Sequence, residues 1–265
     1  MRILKEHLDT LQKQFDLDFN LKEATKVNDH LFIAPNRILE GARIINKTDP
    51  FFKLVVFFGK IYVLADPDTI PGWIEILQDS SAEWFFNFGH LRKIDHILNE
   101  YDREIIDTHI YFLPDADAEI VSESPDLVWF DRDAIDLMKD SFPYKNALCY
   151  SPTQPDYLAV AFPKNNGQPI TDKNGNFIEG SVKGIAGASI DGKYVRQIGI
   201  DVDPDSRGEG VATTLVSVLK QRILKEGVLP FYGTSESHSV SRMVAIKSGF
   251  LPAYSELVVG KKENK

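Results

Sequence analysis

The spacing of apolar residues switches between helical and strand periods along the chain and predicts a mixed α/β protein. The segment MRILKEHLDTLQKQFDL has its apolar residues on one helical face: Leu4, Leu8, Leu11 and Phe15. The segment FKLVVFFGKIYVLAD predicts two strands joined as a hairpin around Gly59-Lys60. Helices are expected over PGWIEILQDSS and HLRKIDHILNEY, and a strand is expected over THIYFLPD.

The second half of the chain has stronger turn and cap signals. LVWF predicts a short strand, and DRDAIDLMKDSF predicts a helix that Asp131 caps. DYLAVAF, VKGIAGASI and YVRQIGIDV predict three strands, with hairpin-type pairs between or beside them: Asn166-Gly167, Asn174-Gly175 and Asp191-Gly192. The helix VATTLVSVLKQRILKEG, which Gly227 ends, is followed by strand VLPFYGT, helix SHSVSRMVAIKSG and strand SELVVG.

A boundary between two domains is expected near residue 120. The stretch DADAEIVSESPD is polar, acidic and ends in proline, which is typical of an interdomain linker. The sequence therefore predicts an N-terminal mixed α/β domain over residues 1–120 and a second domain over residues 121–265.

Composition and charge narrow the classes of partner. The chain is 43% hydrophobic and 26% charged, as in soluble globular proteins, and its formal net charge is -9. This charge disfavours nucleic acid and anionic membranes and attracts cations. The chain lacks an apolar run of the ~18 residues that span a membrane and lacks signal-peptide features, so a cytoplasmic monomer or homodimer is expected. The single Cys149 excludes an internal disulfide, and its apolar neighbours predict a core position.

Residues 201–212, DVDPDSRGEGVA, could form a loop around a metal or around a phosphate. Asp201, Asp203 and Asp205 imitate the opening of a calcium loop. That loop also requires glycine and glutamate at positions where this chain has Ser206 and Ala212. We therefore expect no metal here.

The glycines of the same loop favour an anion. Gly208 and Gly210 do not fit the dinucleotide or P-loop spacing. They do lie between a predicted strand and the start of a predicted helix, where small residues let backbone N–H groups approach a phosphate. The helix N-terminus adds about half a positive charge. The alternative is a plain tight turn.

Two motifs in this half resemble the GNAT superfamily of acyl-CoA-dependent N-acyltransferases. VDPDSRGEGVA resembles its acyl-CoA loop, Gln/Arg-x-x-Gly-x-Gly/Ala, with Arg207, Gly210 and Ala212 at the signature positions. HSVSRMVAIKSGF, from His238 to Phe250, resembles the late helix of these enzymes, which ends in Gly-Phe. The resemblance covers about residues 127–260.

The resemblance implies a fold and a reaction. GNAT enzymes move an acyl group, usually acetyl, from coenzyme A to an amine. It implies a twisted mixed sheet flanked by helices, with the acyl-CoA in an opening beside the fourth strand of the superfamily sheet. Acetyl-CoA is then the co-substrate, and no metal takes part. The additional N-terminal domain is expected to shape the acceptor pocket. It could be a degenerate GNAT-like half, although it has no glycine loop.

The resemblance also assigns cofactor-binding positions. It implies that Ile200, Asp201 and Val202 offer backbone groups to the pantetheine and the thioester. The positions expected around the pyrophosphate are Arg207, Gly208, Glu209, Gly210, Val211, Ala212 and Thr213. The Glu209 side chain is expected to point to solvent. His238 and Ser241 of the last helix complete the expected binding set.

The catalytic groups depart from the superfamily pattern. Ala245 stands where many members have a tyrosine acid, and Arg196 stands where some have a glutamate base. His238 is a candidate proton relay or a plain helix-terminal residue. Tyr232 is a candidate acid or a half-buried strand aromatic. The other histidines have no metal-binding spacing and are interpreted as structural or surface residues: His7, His30, His90, His96 and His109.

The leading hypothesis is a cytoplasmic acetyl-CoA-dependent N-acetyltransferase. Because the chain is acidic, we expect a small cationic amine as acceptor, with a protein N-terminus or lysine side chain as the main alternative. Two non-enzymatic hypotheses stay open at this point. One is an acyl-CoA-binding or regulatory module, and the other is an adaptor that only contacts proteins.

Overall fold

The computed structural model describes residues 1–44, 50–165 and 169–262. The helices are α1 (Lys5–Asp18), α2 (Ile70–Leu77), α3 (Phe88–Glu100), α4 (Arg132–Met138), α5 (Val211–Lys225) and α6 (Ser239–Lys247). The strands are β1 (Thr25–Lys26), β2 (Leu31–Pro35), β3 (Phe52–Phe57), β4 (Lys60–Ala65), β5 (Arg103–Pro114), β6 (Val128–Asp131), β7 (Asp156–Pro163), β8 (Val182–Ile190), β9 (Val195–Val202), β10 (Leu229–Ser235) and β11 (Phe250–Lys261).

The described strands form an open 11-stranded sheet in the order β1-β2-β4-β3-β11-β5-β10-β9-β8-β7-β6. Within the described ranges, β2–β4 and β9–β10 are the parallel pairs, and the other neighbours are antiparallel. Helices flank this mixed sheet, which confirms the predicted α/β class. Strand β5, from the first half, lies between β10 and β11. The sheet thus runs across residue 120, and the division into two domains there stays a prediction.

The first half contains the predicted elements and two further strands. Strands β1 and β2 have no counterpart in the sequence analysis. The predicted hairpin forms from β3 and β4, but its turn consists of Phe58 and Gly59, with φ angles of 43° and 75°. Lys60 is already paired with Phe57, so the expected turn at Gly59-Lys60 was wrong by one residue.

In the second half, helix α4 begins and helix α5 ends at the residues that the sequence predicted. The Asp131 carboxylate accepts a hydrogen bond from the Ala134 N–H at 3.0 Å, which caps α4. Gly227 ends α5 with a φ of 75°. The expected turn at Asn166-Gly167 lies outside the described residues. Cys149 is exposed, so its predicted core position was wrong.

The sheet has apolar clusters on both faces in the region of β9 and β10. Because side chains alternate along a strand, Phe231 and Tyr232 of β10 belong to different clusters. Tyr232 packs with Leu215 of α5 and Phe250, whereas Phe231 packs with Phe15 of α1. Burying one such side chain stabilises the fold by about 1.5–3 kcal/mol. The middle of the sheet is therefore held between α5 and α6 on one face and α1 on the other.

None of the helices in the described ranges is long and apolar enough to cross a membrane.

Candidate functional site

A gap opens in the sheet between β9 and β10. Their parallel pairing runs from Leu229↔Val195 to Tyr232↔Ile198 and ends there. Both strands continue, β9 to Val202 beside β8 and β10 to Ser235 beside β5. Each strand keeps its outer partner while losing the inner one, so the two diverge. This divergence matches the opening that the resemblance implied beside the fourth strand, since β9 is the fourth strand counted from β6.

Glycines stand on both sides of the gap where the divergence begins. The position of a Cβ on Gly199 is occupied by the main-chain oxygen of Asn146. A Cβ on Gly233 would lie 2.5 Å from Cε1 of Tyr111. A side chain at either place would displace its neighbour. The absence of a Cβ thus lets a loop approach β9 and an aromatic ring approach β10 at the mouth of the gap.

The loop that approaches β9 comes from residues 144–150, here termed the crossing segment. The Asp201 carboxylate accepts hydrogen bonds from Asn146 N at 2.8 Å, Asn146 Nδ2 at 2.7 Å and Ala147 N at 2.9 Å. The Asp201 side chain therefore anchors the crossing segment. Ile200 and Val202 point the other way and pack against the α5 cluster. Because the side chains of Ile200, Asp201 and Val202 point to the two faces of the sheet, the backbone of β9 is the part that borders the gap.

The predicted phosphate loop follows β9 directly. A short 3-10 turn at Pro204–Ser206 leads to Gly208 and Gly210, and α5 begins at Val211. The two glycines have φ angles of 84° and 81°, a region that residues with a Cβ rarely adopt. Apart from the glycine itself and its two chain neighbours, no described residue has an atom within 4 Å of the place where a Cβ would stand on either glycine. The loop is thus exposed, with open space around its glycines.

The loop concentrates backbone donors that lack partners. In the described part of the chain, the N–H groups from Gly208 to Thr213 have no hydrogen-bond acceptor. Those of Val211, Ala212 and Thr213 are the unsatisfied donors of a helix N-terminus. The Arg207 side chain is exposed and forms no ion pair within the described ranges. Such a set of donors can bind a phosphate or pyrophosphate.

Glu209 is the acidic residue between the two glycines. Its side chain is half exposed and pairs with Lys183 of β8, with 3.1 Å between Oε2 and Nζ. Lys183 therefore compensates the charge that would otherwise repel a phosphate near the loop. On the other side of the 3-10 turn, Lys164 pairs with Asp203 at 3.1 Å.

Tyr232 and Ser241 come together on the α6 side of the sheet. Tyr232 is 2% exposed, and its hydroxyl oxygen lies 2.9 Å from that of Ser241. Burial raises the pKa of Tyr232, the hydrogen bond to Ser241 lowers it, and the nearby charge of Asp201 raises it further. Tyr232 is also the last residue of β10 that pairs with β9. A partly buried hydroxyl pair thus lies at the point where the strands separate.

Three other positions bear on the catalytic groups: His238, Ala245 and Arg196. His238 is exposed at the start of α6, and its side chain has no hydrogen bond to any described residue. Ala245 is fully buried in the α5 cluster, and Arg196 donates to the carbonyl oxygens of Gly192 and Val195 at 2.8 Å. Neither Ala245 nor Arg196 supplies an acid or base in the gap.

Sequence reasoning missed a polar cluster on the α1 side of β10. His109 Nε2 lies 3.0 Å from Asp107 Oδ2, and Ser235 Oγ donates to Asp107 Oδ1 at 3.3 Å. The hydroxyl of Tyr111 lies 3.5 Å from His109 Nδ1. The alternation in DTHIY could have indicated that Asp107, His109 and Tyr111 share one face of a strand. Their place beside β10 could not be predicted, because it depends on the pairing of β5 with a distant strand.

Within residues 1–44, 50–165 and 169–262, no group of three or more His, Cys, Asp or Glu side chains is placed to hold a metal ion.

Comparisons with known proteins give matches among solved structures. No protein-family model and no curated protein matches the chain. A GNAT-family protein from Novosphingobium aromaticivorans is 16% identical, with 61% of this chain and 69% of that chain covered, at a TM-score of 0.41. A GCN5-related N-acetyltransferase-like protein from Streptococcus suis is 12% identical, with 83% and 88% covered, at 0.42. A Salmonella typhimurium protein solved with acetyl-CoA is 12% identical, with 53% and 96% covered, at 0.32. The chain is similar over part of its length to structures described as GNAT proteins.

Proposed function

We propose that this protein is an acetyl-CoA-dependent N-acetyltransferase that acts on a small cationic amine. The observation that carries the proposal is that the gap and the glycine loop meet at the carboxyl end of β9, which is here termed the junction. The gap toward β10 begins beside Gly199, and the loop with the unpaired N–H groups follows Val202 closely. A ligand with an extended portion and a pyrophosphate can occupy both parts of this junction.

The chain offers a group for each part of that ligand. Backbone N–H groups from Gly208 to Thr213 bind the pyrophosphate, with the Arg207 guanidinium as a further cation. The edge of β9 at 200–202, which lacks a partner in β10, pairs with the pantetheine as a neighbouring strand would. A backbone N–H of this edge, aimed at the thioester oxygen, stabilises the charge that develops there by about 3 kcal/mol.

The Tyr232–Ser241 pair supplies a proton for the departing sulfur. Burial raises the pKa of Tyr232, so the phenol holds its proton at neutral pH and is a weaker acid than an exposed tyrosine. A thiol with a pKa of about 8.5 leaves readily, so the demand on this acid is modest. This pair takes the place of the tyrosine that Ala245 replaces. His238 at the start of α6 is the second candidate donor.

The choice of a cationic acceptor rests on charge. The chain has a formal net charge of -9, which raises the local concentration of cations around it. On the face opposite Tyr232, Asp107 is partly exposed close to the gap. Attraction of this kind weakens as salt is added, since it is screened beyond about 10 Å at 0.1 M salt.

Two measurements test the proposal. Acetyl-CoA should raise the melting temperature, because a ligand that binds the native state alone stabilises it. Acetyl transfer should then be measured for polyamines, amino sugars, amino acids and short peptides at two ionic strengths. We expect turnover of cationic amines that falls as salt rises. Stabilisation by acetyl-CoA without turnover of any amine would favour a binding module, and no stabilisation at millimolar acetyl-CoA would contradict both. Activity confined to peptides or neutral amino acids would contradict the cationic acceptor.

A further inference from the structure

We propose that His109, held by Asp107, accepts the proton that the acceptor amine loses during acetyl transfer. The inference rests on the proposed acetyltransferase function. It assigns the base to the face of the sheet opposite Tyr232. The two groups that move protons then flank the gap from its two sides.

The position of His109 follows from the register of β5 and β10. His109 pairs with Ser235, and Tyr111 pairs with Gly233, in the stretch of β10 that has lost its contact with β9. Residues directly opposite each other on antiparallel strands share a face, and the strands lie about 4.8 Å apart. His109 therefore lies one strand away from the gap. Its side chain is 34% exposed, so an amine can reach it directly or through one water.

The neighbours of His109 fix which ring nitrogen is the base. The Asp107 carboxylate 3.0 Å from Nε2 can only accept, so Nε2 carries a hydrogen and donates it. In the neutral ring the lone pair is then on Nδ1. The contact of Nδ1 is the Tyr111 hydroxyl at 3.5 Å, which is long for a hydrogen bond. Within the described structure, Nδ1 is thus only weakly engaged.

Charged side chains of three strands (β5, β11 and β3) and of the loop that precedes β3 surround the ring. Asp107, on the same strand as His109, faces the ring. Glu256 on β11 is the register partner of His109. Glu256 is paired with the buried Arg43, which also donates to the Tyr111 hydroxyl at 3.1 Å. Asp107 is the charged group that contacts the ring directly. Its carboxylate stabilises the imidazolium that forms.

Ser235 connects the pair of His109 and Asp107, here termed the dyad, to the strand that borders the gap. Ser235 lies on the diverged end of β10, and its hydroxyl donates to the second oxygen of Asp107 at 3.3 Å. The dyad is therefore attached to the strand that borders the gap. Because two carboxylate oxygens are each held, the orientation of the His109 ring is fixed before an acceptor binds.

The proton and electron changes balance with these two groups. The reacting nitrogen of the acceptor first releases one proton to solvent and enters as the neutral amine. It then forms a bond to the acetyl carbon and gives a second proton to His109 Nδ1. The carbon–sulfur bond breaks, and its electron pair leaves with sulfur, which takes a proton from the Tyr232 hydroxyl. His109 and Tyr232 return to their starting states by exchange with solvent. The products are the acetylated amine and free coenzyme A.

The test compares His109→Gln and Asp107→Asn with His96→Gln as the matched control. Glutamine keeps a donor for Asp107 but takes up no proton. His96 is an exposed histidine on α3, away from β10. The amine from the panel that the wild type acetylates fastest is the acceptor. The readouts are kcat as a function of pH at saturating substrates, and stabilisation by acetyl-CoA.

We expect His109→Gln to lower kcat by roughly 100-fold or more, the range of general base catalysis. The dependence of kcat on pH should also differ from that of the wild type, because glutamine cannot take up a proton at this place. Contributions from the amine are common to both proteins and cancel in the comparison. Asp107→Asn should lower kcat less than His109→Gln does, because the base remains while the carboxylate that orients its ring is lost. Acetyl-CoA should stabilise each variant as it does the wild type, and His96→Gln should match the wild type.

A His109→Gln variant with wild-type kcat and an unchanged pH profile would overturn the assignment and leave the acetyltransferase function standing. A profile that changes equally in His96→Gln would overturn it as well. If the wild type acetylates none of the amines, the proposed function itself fails.

Discussion

Single residues decide whether the loop after β9 can bind an anion. Gly208 and Gly210 have φ angles of 84° and 81°, and the space where their side chains would stand is open among the described atoms. A lack of space for a side chain therefore does not explain why glycine stands at these two positions. The positive φ angles do explain it. A close approach of a phosphate to the N–H groups gives a second reason for glycine.

Replacement of Gly210 by glutamate should abolish binding of acetyl-CoA and leave the fold intact. The new carboxylate adds bulk and negative charge beside the N–H groups that bind the pyrophosphate. The measurement is stabilisation by acetyl-CoA in thermal unfolding, together with calorimetric binding.

Gly227→Glu is the matched control for this variant. Gly227 ends the same helix with a φ of 75° and open space around it among the described residues. Both variants carry the same backbone strain, about 1–2 kcal/mol for a residue with a Cβ in this region. Equal binding of acetyl-CoA by Gly210→Glu and Gly227→Glu would show that the loop is not the pyrophosphate site.

At the scale of elements, the crossing segment depends on two paired glycines. Gly187 of β8 and Gly199 of β9 are register partners. Their Cβ positions are taken by the main-chain oxygens of Ala147 and Asn146. Main-chain atoms held by Asp201 cannot move aside as a flexible side chain can. The pair of glycines therefore sets how closely the crossing segment lies on the sheet beside the gap.

Gly199→Ala should lower the free energy of unfolding by about 1–3 kcal/mol, the usual cost of overpacking. It should also raise the KM for the acceptor, since the crossing segment moves away from the gap. Gly72→Ala is the control, because Gly72 lies in α2 with open space around it in the described structure. That change should leave stability unchanged or raise it by up to about 1 kcal/mol. Urea unfolding measures both, and a Gly199→Ala variant as stable as the wild type would contradict this account.

The elements that the sequence predicted are those with local signals. The Asp131 cap, the glycines around α5 and the end of α6 at Gly249 each depend on a few neighbouring residues, and each forms as expected. The hairpin turn moved by one residue because Phe58 adopts a positive φ that its residue type does not suggest. The hydroxyl pair of Tyr232 and Ser241 joins residues of different elements, so the sequence named both without placing them together.

His109, the proposed base, shows why the other part of the candidate site could not be predicted from the sequence. His109 was interpreted as structural or surface, because nothing near it in the sequence indicates a site. Its role depends on β5 lying between β10 and β11, a pairing across more than a hundred residues. Pairing of this range is decided by the packing of the whole sheet and not by local preference.

At the scale of the whole molecule, β5 connects the two halves of the chain. It pairs with β10 on one side and with β11 on the other, and β11 in turn pairs with β3. Residues 121–265 alone would leave β10 and β11 without the strand between them. Both sheet edges would then expose unpaired N–H and C=O groups, which favours aggregation.

We therefore expect the full chain to unfold in one cooperative transition and the fragment 121–265 to bind no acetyl-CoA. Tryptophans in both halves make the first measurement direct. Trp73 is buried with α2 in the first half, and Trp129 lies on β6 in the second. Urea unfolding of variants that keep one of these tryptophans should give midpoints that coincide with each other and with that of circular dichroism. Separate midpoints, or a folded fragment 121–265 that acetyl-CoA stabilises, would instead support independent domains divided near residue 120. The site would then belong to the second half alone, and His109, which lies on β5, could not be its base.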